Sequence, residues 1–274
     1  MKYCRFQSAE GSQFAEVEER AGEFWAVRPL AYPGDASVLG AETPAMNFKA
    51  RSLRDVELMA PVSPSKIVCV GRNYRDHAKE LGNDVPAEPL LFFKPPSSLL
   101  APGGIVVRPK QSERVDFEGE LAVVIGKRAR GLSRDQDLAP YIHGFVLAND
   151  VTARDLQKKD GQWARAKGFD TFCPVGPIVD TDLSLARVQN GVTIETHVNG
   201  EQRQHGSTAD FIFSLPVLLE YITAAMTLEP GDLLLTGTPA GVGPLQAGDV
   251  VEVSIPGLGK LSNRVTDQAG TGEV

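Results

Sequence analysis

Val115-Asp116-Phe117-Glu118-Gly119-Glu120-Leu121-Ala122-Val123-Val124-Ile125-Gly126 is the stretch on which the reading of this chain turns. Its second half is a run of apolar and β-branched residues closed by glycine, the pattern of a buried strand. Its first half carries three acids. Side chains two apart on a strand share a face, so Asp116, Glu118 and Glu120 are expected in one row. Three like charges entering a sheet repel unless water or a cation neutralises them, and the apolar continuation argues against full solvation. Carboxylate oxygens suit hard cations, Mg²⁺ above all where two or three acids are offered. The competing reading is a strand end that points into water.

Toward the C-terminus, His143 to Asn149 reads as a strand that ends on Asp150. Asp150 would complete a three-carboxylate cation site with Glu118 and Glu120; its alternative role is a helix N-cap. Arg154 and Gln157 follow on the next turn, and an arginine there suits a forked contact with a substrate carboxylate. Lys167-Gly168-Phe169-Asp170 reads as a loop presenting a lysine, although most such lysines are merely solvated. Asn199-Gly200 is the strongest hairpin signal in the chain, between strands at Thr193–Val198 and Gln202–His205. His197 and His205 belong to that hairpin and are read as structural or solvent-facing. Residues 211–226 form the best amphipathic helix, with Phe211, Leu215, Leu218, Leu219 and Ile222 on one side. Gly231 to Gly243 reads as a strand entering a glycine-rich turn. It lacks the lysine of a phosphate loop and matches no dinucleotide fingerprint, but suits backbone N–H groups offered to a small anion. Two strands, 248–255 and 259–265, close the chain.

Toward the N-terminus, Leu90 to Lys94 is a strand stopped by Pro95-Pro96, and Lys66 to Val70 another. Between them runs Gly71-Arg72-Asn73-Tyr74-Arg75-Asp76-His77-Ala78-Lys79-Glu80-Leu81-Gly82. Asn73 is expected to cap a short helix with Asp76 as reciprocal partner, and Gly82 or Asn83 to stop it. On that helix His77 and Glu80 are i, i+3 neighbours. A carboxylate beside a histidine raises its basicity and orients the ring, a general-base dyad in outline; the plainer reading is a solvated polar face. The polar segment 83–89 suits a mobile lid. Residues 1–60 read as a small β-rich module, with strands near 2–7, 13–18 and 23–28 and a helix near 35–40. Pro61-Val62-Ser63-Pro64-Ser65 is its natural boundary.

The composition narrows the classes. At 274 residues and 42% hydrophobic, the chain can bury a large core. A net charge of −7 without a basic patch argues against a nucleic-acid partner. No apolar run approaches the roughly 20 residues of a membrane span, and the first residues do not read as a signal peptide. Cys4, Cys69 and Cys173 are too widely spaced for a disulfide framework or a zinc pattern, which fits a reducing cytoplasm.

Several of these motifs recur together. Gly71-Arg72-Asn73-Tyr74 with His77 and Glu80, Lys94-Pro95, Asp116-Phe117-Glu118-Gly119-Glu120-Leu121, Asn149 to Gln157, Lys167-Gly168-Phe169-Asp170 and Gly237-Thr238-Pro239 stand in an order that resembles the fumarylacetoacetate hydrolase superfamily over about residues 64–265. The resemblance implies a mostly β (α+β) fold of rolled mixed sheets with few short helices. It implies a catalytic domain at 61–274 behind a small N-terminal domain at 1–60. It also implies a homodimer and a requirement for Mg²⁺ or Mn²⁺. Position by position, Glu118, Glu120 and Asp150 resemble the metal ligands, and Lys167 the lysine beside them. Arg154, Gln157, Gly237 and Thr238 resemble substrate contacts, as do Arg72, Asn73 and Tyr74 ahead of the lid. His77 and Glu80 resemble the catalytic lid dyad.

The implied activity is chemistry on small 2-oxo acids. Breaking a bond β to the 2-carbonyl leaves an enolate, and a Lewis-acidic cation with Lys167 would stabilise its charge. Hydrolysis of an acylpyruvate-type 2,4-dioxo acid, fumarylpyruvate- or fumarylacetoacetate-like, is the expected reaction, with His77 activating water. Such a reaction belongs to aromatic catabolism. The alternatives are decarboxylation of oxaloacetate, isomerisation of 2-hydroxyhepta-2,4-diene-1,7-dioate and decarboxylation of 5-oxopent-3-ene-1,2,5-tricarboxylate. A metal-stabilised binding protein without turnover is the reading from another class.

Overall fold

The acidic stretch forms two strands rather than one. In the computed structural model, which describes residues 1–9, 11–31, 48–80, 82 and 84–269, Val115–Phe117 and Gly119–Ile125 lie in different sheets. The chain changes sheets at Glu118, whose N–H is taken by the Asn149 side chain at 2.9 Å. The expected row of three acids is therefore broken. Asp116 pairs across the small sheet with Thr152 and Pro244, while Glu118 and Glu120 stay at the entry to the main sheet.

Gly119–Ile125 occupies the middle of the main sheet because both of its faces are apolar. Leu121, Val123 and Ile125 pack with Phe145 and Leu147 into the largest core. Ala122 and Val124 face the opposite way, with Val146, Ala148, Cys69 and Cys173. Each fully buried Leu, Val or Ile there contributes about 1.5–3 kcal/mol. The strand pairs antiparallel with Ile142–Asn149 on one side and Leu233–Leu235 on the other. Leu233–Leu235 pairs parallel with Ile67–Gly71, which pairs antiparallel with Leu90–Lys94. In the other direction Ile142–Asn149 leads through Val179–Asp180 to Lys2–Ser8, Gly11–Arg20 and Glu23–Leu30. The three N-terminal strands thus extend the same sheet and enclose a smaller cluster of Cys4, Phe6, Ala15, Val17 and Ala26, which Ile178 of the later chain completes. The helix read near 35–40 lies outside the described residues.

A second sheet of five strands lies across the first. It runs Glu201–Ser207, Thr193–Val198, Val250–Ile255, Gly259–Asp267, Ile105–Arg108. The hairpin turn at its edge is Asn199-Gly200, both residues with positive φ as a primed turn requires. Val253, Ile255, Leu258 and Leu261 of this sheet meet the main core, together with Leu215, Leu218, Leu219 and Ile222. Those four lie on helix Leu215–Ala225, which carries Pro in its first turn. It is shorter than expected because Phe211 and Phe213 pack on the core from the segment before it. The molecule is mostly β with few short helices, and no described helix is long and apolar enough to cross a membrane.

Three local expectations give way to tertiary partners. Asn73 does not cap the helix Arg75–Glu80: its amide donates to the carbonyls of Thr236 at 2.8 Å and Phe213 at 3.2 Å, and accepts from Phe213 N–H. Asp150 is not an N-cap either, for helix Arg154–Asp160 begins after Ala153 without a side-chain cap. Lys167 sits in a short helix, Ala164–Gly168, and is buried rather than presented by a loop. The helix at 75–80 ends as expected on Gly82, at φ +68°, whose N–H reaches Lys79 at 2.9 Å; Asn83 lies outside the described residues.

Candidate active site

Three carboxylates meet where the sheets converge. Glu118 stands at the switch between sheets, Glu120 at the start of its strand, and Asp150 just past the end of Ile142–Asn149. The pairing of Gly119 with Asn149 brings them together, and Asp150 N–H is bonded to the Glu118 carbonyl at 2.8 Å. All three are buried, and each offers an oxygen within 4.8 Å of the others'.

Cations surround them. Lys167 Nζ bridges Glu118 Oε2 at 2.7 Å and Asp150 Oδ2 at 2.6 Å, 4.9 Å from the centre of the Phe92 ring. Lys94 Nζ donates to Asp150 Oδ1 at 2.6 Å and to the Val151 carbonyl at 3.0 Å. Arg154 donates to Asp116 Oδ2 at 3.0 Å, Glu118 Oε1 at 2.6 Å and Gln157 Oε1 at 2.7 Å. Asp116 is fully buried between Arg154 and Arg114, so it belongs to the arginine support and not to the acid triad.

The electrostatics separate the two glutamates. Burial alone would raise Glu118, but the charges of Lys167 and Arg154 outweigh it and hold the acid far below its usual range. Glu120 is pushed well above that range by burial and by the charges of Asp150 and Glu118, and it accepts from the Gly237 N–H at 2.7 Å. Such an acid binds a proton in the absence of a stronger positive charge and releases it to a cation. Burial opposes the charge on Lys167, yet Asp150 and Glu118 prevail and keep it an ammonium. Each carboxylate oxygen that accepts a hydrogen bond retains a second lone pair. Three buried, mutually close oxygen donors, one of them destabilised as an anion, fit a hard divalent ion.

A cavity of about 380 Å³ opens above the acids, lined among others by Arg72, His77, Phe92, Arg154, Trp163 and Lys167. Gln157 and Thr238 also reach it. His77 is buried, with Nδ1 3.4 Å from Glu80 Oε2. Burial lowers its pKa more than the nearby acids raise it, so the ring is neutral at neutral pH. Glu80 also accepts from the Gly241 N–H, 3.1 and 3.2 Å from its two oxygens, which seats the helix on the 237–241 turn. Arg72 lines the cavity from a left-handed backbone position, φ 57°.

Two residues expected at the substrate stand behind the cavity wall. Asn73 is fully buried with its amide engaged by Phe213 and Thr236. Tyr74 packs edge-on against Phe211, its ring 5.2 Å away. Gly237 contributes its N–H to Glu120 rather than to the cavity. Conversely, Lys94 reads from the sequence as a strand end and part of the Lys94-Pro95 motif, with no role at the acids. A lysine closing an apolar run and followed by two prolines is the single local sign that its charge turns inward.

A mostly β chain whose sheets deliver three buried acids, a fixed lysine and a histidine–glutamate pair to one cavity defines a carboxylate site suited to a divalent cation and a small anionic ligand. The chain belongs to the fumarylacetoacetate hydrolase family, whose model, described as Fumarylacetoacetate (FAA) hydrolase C-terminal, matches residues 66–266. The chain is 44% identical to the oxaloacetate tautomerase YisK of Bacillus subtilis, over 94% of this chain and 84% of that protein. It is 45% identical to the mitochondrial oxaloacetate decarboxylase of Dictyostelium discoideum, over 70% and 89%. Its fold is similar to the crystal structure of 2-hydroxyhepta-2,4-diene-1,7-dioate isomerase from Mycobacterium marinum, with a TM-score of 0.83, 41% identity and 98% and 100% of the two chains covered.

Proposed function

We propose that this protein is a divalent-metal-dependent enzyme of small 2-oxo acids that works through their enolates, with oxaloacetate-type acids as substrates and tautomerisation or decarboxylation as the reaction. The observation that carries this reading is the presence in one cavity of a fixed ammonium, Lys167, and a neutral buried imidazole, His77. The names of two relatives at 44% and 45% identity, an oxaloacetate tautomerase and an oxaloacetate decarboxylase, point the same way.

Glu118, Glu120 and Asp150 would hold Mg²⁺ or Mn²⁺, which when bound supplies Lewis acidity toward the 2-oxo and carboxylate oxygens. Lys167, itself buried, would place a positive charge where the 2-oxygen gains negative charge. Arg154, clamped by Asp116, Glu118 and Gln157, gives the substrate carboxylate a preset partner. In keto-to-enol tautomerisation His77 takes a proton from C3, the C3–H electron pair forms the C2–C3 double bond, and the 2-oxygen gains a proton. The reverse runs through the same groups, with the ring oriented by Glu80. In decarboxylation the C3–C4 electron pair moves toward the 2-carbonyl, CO₂ leaves, and C3 is then protonated.

Hydrolysis of an acylpyruvate is the second reading, and one observation favours it. The cavity, about 380 Å³ with an apolar wall of Phe92 and Trp163, is roomier than a four-carbon acid needs. There His77 would activate water for attack on the 4-carbonyl. The deciding experiment is a panel of oxaloacetate, acylpyruvates and 2-hydroxy-dienedioates, each with Mg²⁺, with Mn²⁺ and after chelation. Metal-dependent turnover of oxaloacetate above the others is expected. Faster cleavage of an acylpyruvate would favour the second reading, and no turnover of any member would leave a binding protein.

A further inference from the structure

Strand Glu201–Ser207 does not line the cavity, yet one of its side chains reaches the backbone between two of the acids. Gln204 is fully buried. Its Oε1 accepts the Gly119 N–H at 3.0 Å, and its Nε2 donates to Thr238 Oγ1 and to the Pro239 carbonyl, both at 2.7 Å. Thr238 Oγ1 donates in turn to the Gly119 carbonyl at 2.8 Å. Gly119, Gln204 and Thr238 thus close a ring of hydrogen bonds.

The ring sits at a junction. Gly119 is the residue between Glu118 and Glu120. Thr238 and Pro239 lie in the turn whose Gly237 N–H holds Glu120 and whose Gly241 N–H holds Glu80. The backbones have no slack there. A Cβ on Gly119 would lie 2.1 Å from Thr196 Oγ1, one on Gly206 2.4 Å from Pro239 Cβ, and one on Gly241 2.0 Å from the Arg203 carbonyl. The hairpin is therefore pressed against both the acid-bearing chain and the turn.

We propose that Gln204 is a positioning residue: it fixes the spacing of Glu118 and Glu120 against the 237–241 turn, and through that turn the seat of the His77–Glu80 pair. The inference rests on reading the acids as a cation site. A small hard cation tolerates little error in its oxygen positions, and Gly119 has no side chain of its own to wedge the two glutamates. A primary amide serves because it accepts once and donates twice without adding charge to a site already crowded with ions. Methionine offers none of these bonds; glutamate keeps the acceptor and loses both donors.

The test compares Gln204→Met and Gln204→Glu with Asn199→Ala in the metal-stripped full chain. Asn199 bonds Asp249 and the Val250 N–H at the other end of the same hairpin, so its loss loosens the hairpin without touching the ring. Mn²⁺ affinity is read by calorimetry, thermal stability in chelator by melting, and kcat and KM on oxaloacetate. Gln204→Met should weaken Mn²⁺ binding by about tenfold or more, with Gln204→Glu between it and wild type. Asn199→Ala should lose thermal stability and keep wild-type affinity. Wild-type Mn²⁺ affinity in Gln204→Met, or an equal loss in Asn199→Ala, would overturn the proposal while leaving the cation site standing. Failure of the unaltered protein to bind Mn²⁺ or Mg²⁺ would overturn both. If Gln204→Met does not fold, Gln204→Glu against Asn199→Ala decides by the same criterion.

Discussion

His77 is neutral because it is buried in the cavity with Glu118 and Asp150, and in the proposed reaction it would be the base that tautomerisation needs. His77→Ala should reduce enol–keto exchange of oxaloacetate by about 10²–10⁴-fold, the usual worth of a general base. Decarboxylation, which draws on Lys167 and the cation as electron sink, should fall less. Equal losses in stopped-flow exchange and in CO₂ release would mean that His77 only closes the cavity. The wild-type rate should also fall in acid, below pH 6.5, as the ring takes up its proton at its lowered pKa, and that limb should vanish in the alanine variant. His143 titrates for another reason. Burial against Tyr3 pushes it down to about 4, and its Nε2 has no partner among the described residues. Between pH 6.5 and 4 the unfolded chain binds a proton that the folded chain refuses, so stability drops as pH falls through that window, by about 1–3 kcal/mol. Urea melts should show a shallower loss in His143→Phe; an identical slope would refute the assignment. At this scale spacings of two and three residues disclosed Glu118 beside Glu120 and His77 beside Glu80, and Asp150 was legible only as an acid at the end of another strand. It could not disclose Lys94 on Asp150 or Gln204 on Gly119, whose partners are 56 and 85 residues distant.

Elements were legible wherever their pattern is local. The apolar run at 121–125, the Asn199-Gly200 hairpin and the helix around Leu215–Ala225 all follow from periodicity or turn chemistry. The switch of sheets at Glu118 does not, because Asn149 from the neighbouring strand takes the N–H that would have continued the ladder. Another such long-range tie is Asp232, ahead of strand Leu233–Leu235. Fully buried, it accepts from Ser65 N–H at 2.9 Å, Ser65 Oγ at 2.7 Å, Lys66 N–H at 3.1 Å and Glu229 N–H at 2.8 Å, and pairs with Lys66 Nζ. It pins together the starts of the two parallel central strands. Asp232→Ala leaves several part-buried donors without their buried acceptor and should cost about 1–3 kcal/mol in chemical denaturation. Burial would raise the Asp232 pKa, but the bonds from Glu229, Lys66 and Ser65 outweigh it and hold it low. The wild-type advantage is therefore complete above about pH 4 and is lost in stronger acid as the carboxylate protonates. A variant as stable as wild type at pH 7 would remove Asp232 from this role.

For the molecule as a whole, the prediction is assembly. The family resemblance implies a homodimer, and the surface offers Phe93 and Tyr221 among its exposed large apolar residues. Phe211 and Phe213 pack on the core. Light scattering at micromolar concentration should give about twice the 29.5 kDa of the chain; a monomer would refute the dimer. Fold class was readable from strand-like runs and the order of motifs, whereas the joining of the N-terminal strands to the main sheet was not, since it rests on Lys2 and Tyr3 meeting Asp180 and Val179.

The place of Leu233–Leu235 has a consequence for how the protein is made. This strand lies between Gly119–Ile125 and Ile67–Gly71 in the middle of the sheet, yet it is among the last to leave the ribosome. Translation at about 5–20 residues per second leaves the gap beside Gly119–Ile125 open for roughly 5–20 s. During that interval two apolar strand edges wait for a partner that has not been synthesised, and Glu120 waits for Gly237. The nascent chain therefore carries its own hazard of mispairing, and its acid site is completed only late in synthesis.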